Sequence, residues 1–309
     1  MRGSLAQGVW RLVCYHTSAS AGDFRPTEAA FRARVQADSR ARFPAAAGRY
    51  HLYVSRACPW AHRTLILRRL KQLEDVVSAD VVEPLMGDDG WAFAPGADSV
   101  NGFAFLREAY VAADPHYSGR VTVPVLWDRQ TRTIVNNESA EIIRMLNSAF
   151  EAFTDEHTDY YPQALRPEID AVNDYVYERV NNGVYRCGFA GSQAAYEQAF
   201  DTLFDALETL EARLGRSHFL VGERLTEADW RLFTTLVRFD PAYYLHFKCN
   251  LKRIADYPNL TRYLRALLAV PGVSATVDLD HIKRHYYQSH RHLNPSGLVP
   301  KGPRLDWVP

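Results

Sequence analysis

The stretch that decides the fold is Arg49-Tyr-His-Leu-Tyr-Val-Ser55, followed closely by Cys58-Pro59-Trp60-Ala61. The first part alternates like a β-strand, and the segment from Ala61 to Leu73 is helix-forming. This order places one thiol at the N-terminus of a helix, where backbone N–H groups and the helix dipole favour a thiolate. Pro59 suits the first helical position, because the N–H that proline lacks has no partner there.

The fourth position of this motif separates it from a redox dithiol. A dithiol reads Cys-x-x-Cys, whereas here the fourth residue is Ala61. We expect the N–H groups of Trp60 and Ala61 to point at the Cys58 sulfur as they would at a capping oxygen. The motif therefore predicts a one-thiol site that needs an external thiol to complete its chemistry.

Composition is that of a globular protein. The chain has 309 residues, 47% hydrophobic and 23% charged, which is enough for two domains. Lys plus Arg and Asp plus Glu balance at 36 each, so we expect no nucleic-acid and no membrane partner. No apolar run approaches the roughly 20 residues of a membrane span, and the N-terminus lacks a signal-peptide core. These observations predict a cytoplasmic protein.

The cysteines and histidines give no metal signature. The four cysteines lie far apart, without zinc-like spacing, at positions 14, 58, 187 and 249. Only Cys58 has a context that indicates reactivity. His281 and His285 have helical i, i+4 spacing, but no Glu follows His281 as in zinc metalloproteases. We therefore favour hydrogen-bonded structural histidines here and at His290 and His292, and predict no metal.

The first half of the chain predicts an α/β layout. Residues 1–48 show no regular pattern and are assigned to an N-terminal extension. The predicted elements are strands over 50–55, 76–82, 121–127 and 131–135, and helices over 59–73 and 139–146. A long polar, Gly-rich segment occupies 83–120. Two parallel strands joined by a helix, then a hairpin and a final helix, form the thioredoxin-like layout, which we assign to 49–155.

The second half predicts an all-helical domain over 156–309. Helical periodicity marks 169–180, 194–214, 228–238 and 260–268. Thr226 and Asp229 have the spacing of a capping box. The tail from His290 contains Pro295, Pro300, Pro303 and Pro309, so we expect an extension that is not helical.

Five stretches carry a resemblance to a known family. They are Ser55-Arg-Ala-Cys-Pro-Trp-Ala-His-Arg-Thr64, Gly90-Trp91-Ala-Phe93, Val121-Thr-Val-Pro124-Val-Leu-Trp127, Asn136-Asn-Glu-Ser139 and His285-Tyr-Tyr-Gln-Ser-His290. Together they resemble the glutathionyl-hydroquinone reductases, also called Xi-class glutathione transferases, over nearly the whole chain. The resemblance implies a thioredoxin-like domain followed by an all-helical glutathione-transferase domain, with glutathione as co-substrate and a homodimeric assembly.

The resemblance gives Cys58 the role of nucleophile. It would attack the thioether sulfur of a glutathionyl-hydroquinone and form a mixed disulfide, which a second glutathione resolves. The alternative is a capping cysteine without a redox role. Arg56, His62 and Arg63 flank the thiol and can add positive potential. A carboxylate partner on the helix surface is an equal interpretation for Arg63.

Four residues are expected to hold glutathione. In thioredoxin-like folds the proline at position 124 is cis, which exposes the Val123 backbone to the peptide part of the ligand; Pro124 also suits a strand start structurally. Glu138 and Ser139 would receive the γ-glutamyl end, with helix capping as the alternative. Trp91 would pack over glutathione, or anchor the long insert.

Two tyrosines are expected to contact the hydroquinone. Tyr185 and Tyr286 match tyrosines of the family, and one of them would donate a proton to the ring carbon. The chain has 17 tyrosines, so packing is the alternative for each, and Tyr287 competes with Tyr286.

Two other functions remain open from the sequence. An omega-like thioltransferase or dehydroascorbate reductase needs the same Cys58 and glutathione site, but not the two tyrosines. A non-catalytic glutathione-transferase-like interaction module is disfavoured, because such a module needs no activated thiol.

Overall fold

A computed structural model describes residues 2–13 and 28–305, which divide into two compact units. Within the described residues the first unit comprises 2–13 and 28–158, and the second comprises 159–305. Residues 28–48, which the sequence analysis assigned to an extension, belong to the first unit. Cys14 and the start of the charged stretch at Arg25 lie outside the described residues.

The first unit has the predicted thioredoxin-like layout. Its strands are β1 (Arg2–Ala6), β2 (Val9–Val13), β3 (Tyr50–Val54), β4 (Val77–Val81), β5 (Val125–Asp128) and β6 (Thr133–Asn136). Its helices are α1 (Pro59–Leu70), α2 (Leu106–Ala113), α3 (Ser139–Ser148) and a 3₁₀ turn, Glu151–Phe153. The main sheet has the order β4-β3-β5-β6, with β3 parallel to β4 and antiparallel to β5. The α/β fold class is therefore confirmed.

The strand β3, which the sequence analysis starts from, lies in the middle of the main sheet. All five of its residues are buried, as expected for a strand in the middle of a sheet covered on both faces. Arg49, just before it, forms a two-pronged ion pair with Asp128 at the end of β5, with N···O distances of 2.9 and 2.6 Å. This pair ties the start of β3 to the β5–β6 turn.

The prediction that residues 1–48 lack regular structure is wrong for the N-terminus. β1 and β2 form an antiparallel hairpin whose turn, Gln7-Gly8, has positive φ at both residues. The Trp10 indole donates a hydrogen bond to the Asp88 carbonyl at 3.0 Å and lies against Gly90. The hairpin was missed because its stability comes from packing on a segment about 80 residues away, which local pattern does not report.

The insert over 83–120 also contains more structure than the sequence indicates. It holds α2, at whose start the Glu108 side chain accepts a hydrogen bond from the Phe105 N–H. Asp98 fixes the loop before α2 by accepting from the Tyr53 hydroxyl and from the N–H groups of residues 100, 101 and 103. Turn residues around α2 concealed its short apolar face.

The second unit is helical, and no strand occurs in residues 159–305. Its α-helices are α4 (Arg166–Val176), α5 (Gly183–Gly188), α6 (Gln193–Leu214), α7 (Glu227–Arg238), α8 (Tyr244–His246), α9 (Pro258–Leu268) and α10 (Leu279–Ser289). Two π-helical segments are Tyr177–Asn181 and Phe239–Tyr243, and 3₁₀ turns are Gln163–Leu165, Ile254–Asp256 and Ser274–Thr276. The prediction of an all-helical second half is confirmed.

The predicted capping box at α7 is present. Asp229 Oδ2 accepts hydrogen bonds from the Thr226 N–H at 2.8 Å and from its hydroxyl at 3.1 Å. The other carboxylate oxygen accepts from the Leu220 N–H and the Tyr263 hydroxyl. Burial raises the pKa of Asp229, and these hydrogen bonds oppose that rise.

Two further features agree with the sequence analysis. The tail is not helical as far as residue 305, where the described residues end. None of the helices among the described residues has the length and apolar character needed to cross a membrane.

Candidate active site

Cys58 is the N-cap residue of α1, and Pro59 occupies the first helical position, as predicted. The Cys58 backbone is extended, with φ −75° and ψ 121°, and its side chain is only half-buried. The expectation that the sulfur caps the helix N–H groups is wrong, since Cys58 makes no side-chain capping bond. The thiol is instead turned toward the Val123 carbonyl, with the sulfur 3.6 Å from that oxygen.

The Val123–Pro124 peptide bond is cis, as predicted. This bond lies immediately before β5, and it brings the Val123 carbonyl to the Cys58 thiol. The two predicted site residues from separate parts of the sequence therefore meet at one place. Whether the Val123 backbone binds a peptide ligand stays a prediction.

Glu138 and Ser139 lie at the N-terminus of α3. Glu138 is the N-cap residue, and its Oε1 accepts a hydrogen bond from the Ala140 N–H at 3.0 Å. Ser139 is the first helical residue and is buried. The capping interpretation thus holds for Glu138, while the positive end of α3 remains an arrangement suited to an anion. Glutathione contacts by either residue stay predictions.

The three residues considered as flanking charges have different surroundings. Arg56 is exposed, and His62 is buried. Arg63 is 1% exposed, so it does not lie on the helix surface, where the alternative interpretation placed it. Its guanidinium lies 4.5 Å from the centre of the Trp60 ring, and Nη1 lies 3.4 Å from the Ser139 Oγ.

Trp91 is a buried part of the insert, with 7% of its surface exposed. Its carbonyl accepts a hydrogen bond from the Leu106 N–H at 2.9 Å, at the start of α2. This burial supports the anchoring interpretation. Packing of Trp91 over glutathione stays a prediction.

The two predicted tyrosines meet in the second unit. The Tyr185 hydroxyl on α5 lies 2.7 Å from the Tyr286 hydroxyl on α10, across about 100 residues of sequence. Tyr287, the competing residue, instead donates to the Pro241 carbonyl at 3.3 Å. The structure thus selects Tyr286 over Tyr287 as the partner of Tyr185.

Sequence reasoning missed a third member of this cluster, Tyr243. Its hydroxyl lies 2.9 Å from that of Tyr286, so the three phenols form a hydrogen-bonded cluster in which Tyr286 contacts both of the others. Burial raises the pKa of Tyr243 and of Tyr286 well above the ordinary value. Both hydroxyls are therefore protonated at neutral pH. Tyr243 ends the π-helical segment after α7, and no motif in the sequence marks it.

The histidines near the tyrosines form ring contacts. His246 Nε2 lies 3.2 Å from His290 Nδ1, and both rings are buried. In the described residues the cluster suited to a cation lies in the first unit and comprises His51, Asp80 and Asp98. Asp98 already accepts four hydrogen bonds from the protein. The absence of a metal stays a prediction.

Two family profiles match this chain. The profile "Glutathione S-transferase, N-terminal domain" matches residues 57–149, which contain α1 and the Val123 carbonyl. The profile "Glutathione S-transferase, C-terminal domain" matches 193–266, within the helical unit. The fold is that of a glutathione transferase.

Close relatives narrow the class. The chain is 54% identical to glutathionyl-hydroquinone reductase PcpF of Sphingobium chlorophenolicum, covering 97% of this chain and 96% of the relative. It is 52% identical to glutathionyl-hydroquinone reductase YqjG of Escherichia coli, covering 98% and 96%. Among solved structures, a Xi-class transferase of Natrialba magadii superposes with a TM-score of 0.91 at 47% identity, covering 99% and 94%. Glutathione-bound YqjG superposes with a TM-score of 0.90 at 50% identity, covering 99% and 97%. The chain belongs to the glutathionyl-hydroquinone reductases, the Xi class of glutathione transferases.

Proposed function

We propose that this chain reduces S-glutathionyl-hydroquinones to hydroquinones at the expense of glutathione. The observation that carries the proposal is the Cys58 thiol, which lies at the N-terminus of α1, beside the Val123 carbonyl, with Ala61 where a dithiol enzyme has its second cysteine. A relative named glutathionyl-hydroquinone reductase at 54% identity over nearly the whole chain supports the same activity.

The reaction proceeds in two steps, and in each a thiolate attacks the glutathionyl sulfur. The Cys58 thiolate attacks the sulfur of the glutathionyl thioether, the carbon–sulfur bond breaks, and its electron pair leaves with the ring carbon, which takes up a proton. The product is the hydroquinone and a Cys58–glutathione mixed disulfide. A second glutathione thiolate then attacks the glutathionyl sulfur, releasing oxidised glutathione and the Cys58 thiolate. Because position 61 is alanine, an external thiol must perform this second step.

Glutathione is held by groups of the first unit in this proposal. The Val123 backbone pairs with its cysteinyl portion. The positive end of α3 and the Ser139 hydroxyl take the γ-glutamyl carboxylate, and Glu138 takes the ammonium. Trp91 packs against the ligand. The glutathione complex solved for YqjG supports the assignment of this ligand to the family.

The hydroquinone is contacted by Tyr185 and Tyr286, and one of them donates the proton that the ring carbon needs. The raised pKa of Tyr286 keeps its hydroxyl protonated at neutral pH, and this hydroxyl lies within hydrogen-bonding distance of Tyr185. Tyr185 is half-buried whereas Tyr286 is buried, so we assign the donor role to the more accessible Tyr185.

The proposal also covers the oligomeric state of the protein and its location in the cell. We assign the chain to a cytoplasmic homodimer that uses neither a metal nor a nucleic-acid or membrane partner. Its balanced charge, 36 basic and 36 acidic residues, supports the proposed lack of a nucleic-acid or anionic-membrane partner.

The competing enzyme function is reduction of dehydroascorbate or of mixed disulfides, which uses the same thiol. A substrate comparison tests the choice: the purified protein is given glutathione together with a glutathionyl-hydroquinone or with dehydroascorbate. We expect hydroquinone release with one oxidised glutathione formed for each hydroquinone. Turnover of dehydroascorbate without release of hydroquinone would favour the omega-like function. No turnover of either substrate would favour a non-catalytic module.

A further inference from the structure

Arg63 is a buried charged residue that the mechanism above does not use. It lies on α1, one turn and a half after Cys58, and is 1% exposed. A guanidinium remains protonated in proteins, so this site holds a permanent positive charge away from water. Such a charge is costly to bury unless negative or polar groups compensate for it.

The contacts of Arg63 connect α1, which begins after Cys58, with the N-terminus of α3. The guanidinium carbon lies over the Trp60 ring, 4.5 Å from the ring centre, a cation–π contact that favours this position of the side chain. Nη1 reaches across to α3 and lies 3.4 Å from the Ser139 Oγ. One side chain of α1 therefore touches the residue proposed to bind the γ-glutamyl carboxylate.

The chemistry of this contact fixes the direction of the Ser139 hydroxyl. A guanidinium carries donors only, so Ser139 Oγ must be the acceptor in this pair. The hydroxyl proton is then directed away from Arg63, toward a separate acceptor. Both Ser139 and the guanidinium thereby favour an anion at the N-terminus of α3, in addition to the helix dipole.

We propose that Arg63 is a positioning residue for glutathione: it orients the Ser139 hydroxyl and supplies the positive charge that selects a γ-glutamyl carboxylate at the start of α3. Glu138, the neighbouring acidic residue, then serves the ammonium group of the same amino-acid end. This inference rests on the proposed function, because it assumes that glutathione is the ligand.

The test measures recognition of one chemical group. Binding is measured by calorimetry in full-length protein carrying Cys58→Ser, which prevents mixed-disulfide formation. The ligands are glutathione and γ-aminobutyryl-cysteinylglycine, which lacks only the γ-glutamyl carboxylate. The variants are Arg63→Gln and Arg63→Met, the latter filling the buried volume with an apolar chain. The matched control is Arg69→Gln, on the same helix but exposed and paired with Glu74.

The proposal predicts a change in selectivity. The parent protein should bind glutathione about 10-fold more tightly than the analogue, the size expected for a hydrogen bond to a charged group. Arg63→Gln and Arg63→Met should lose about 10-fold for glutathione and nothing for the analogue, so that the preference disappears. Glutaryl-cysteinylglycine, which keeps the carboxylate and lacks the ammonium, should remain sensitive to Arg63. Arg69→Gln should behave as the parent.

Two different failures are distinguishable. If a folded Arg63 variant keeps the parent's preference, or loses the same factor for both ligands, Arg63 has only a structural role and the inference is overturned. Circular dichroism identifies the folded variants, and Arg63→Met decides if Arg63→Gln does not fold. If the parent itself does not bind glutathione, the proposed function fails before Arg63 is considered.

Discussion

At the residue scale, Tyr286 is the buried tyrosine that contacts both Tyr185 and Tyr243. Burial raises the pKa of Tyr286 most strongly, its neighbour Tyr185 adds to this rise, and the buried charge of Arg238 opposes it. The net pKa lies well above the ordinary value, so Tyr286 keeps its proton at neutral pH. Its hydroxyl lies 2.7 Å from that of Tyr185, the residue proposed to donate the proton.

The substitution Tyr286→Phe tests this cluster of hydroxyls. It removes the hydroxyl that contacts the proposed donor Tyr185 and keeps the ring, so kcat for hydroquinone release should fall by up to about 10²-fold, the lower range for general-acid catalysis. Tyr287→Phe is the matched control, because the Tyr287 hydroxyl donates to the Pro241 carbonyl and not to the cluster. Steady-state kinetics of both variants give the answer. Equal kcat values for Tyr286→Phe and the wild type would remove the tyrosine cluster from the mechanism.

His246 makes the free energy of unfolding depend on pH. Burial, followed by the nearby His292 and Lys248, lowers the pKa of His246 from 6.5 to about 4. The unfolded chain therefore binds a proton at a higher pH than the folded one. Stability from this group is complete above the unfolded pKa of 6.5 and is lost as the pH falls through about 4. The full loss amounts to roughly 3 kcal/mol at 1.36 kcal/mol per pKa unit.

Urea unfolding as a function of pH measures this dependence. His246→Gln cannot titrate, so the decline of its unfolding free energy between neutral and acid pH should be smaller than that of the wild type. Groups distant from His246 titrate equally in both proteins and cancel in the comparison. Parallel curves for the two proteins would show that His246 is not responsible.

At the scale of elements, the sequence predicts those helices and strands whose formation depends on residues close together in the chain. β3, α1 and α3 were predicted because each has a clear period and a start signal such as Pro59 or Ser139. The sequence predicts that α1 ends at Leu73, but the helix ends at Leu70. Gln72, two residues later, has positive φ, which is incompatible with a continuing helix. The N-terminal hairpin and α2 were missed, since both depend on contacts distant in sequence.

The same limit applies to the site. Cys58, Val123 and Glu138 are proposed from helix starts and a strand proline, which are local signals. Tyr243 and the burial of Arg63 were not found, because they depend on which helices pack together. Family resemblance, and not periodicity, selected Tyr185 and Tyr286 among 17 tyrosines.

The ion pair between Arg49 and Asp128 should be important for the sheet. Asp128 is fully buried, and it also accepts hydrogen bonds from Gln130 and Thr131 in the β5–β6 turn. Asp128→Ala leaves the Arg49 charge buried without this carboxylate, so the unfolding free energy should fall by about 3–5 kcal/mol. The control is Asp38→Ala, which breaks an exposed pair with Arg40 and should leave stability unchanged. Chemical denaturation of both variants measures the difference; equal effects would refute the special role of the buried pair.

At the scale of the whole molecule, the proposed function gives the two units separate chemical tasks. The first contains the thiol, the cis proline and the positive end of α3, which together suit a glutathionyl group. The second contains a cluster of protonated phenols, which suits an aromatic diol. This division matches a substrate made of a peptide and a quinol joined through sulfur.

In the proposed function, Cys58 forms a covalent mixed disulfide with the glutathionyl part of the substrate. The most direct measurement is mass spectrometry of the intact protein after reaction with a glutathionyl-hydroquinone in the absence of free glutathione. We predict one glutathionyl group on the wild type and on Cys249→Ala, one hydroquinone released per chain, and removal of the adduct when glutathione is added. Cys58→Ala should gain no adduct and release no hydroquinone. Hydroquinone release by Cys58→Ala at the wild-type rate would contradict the account.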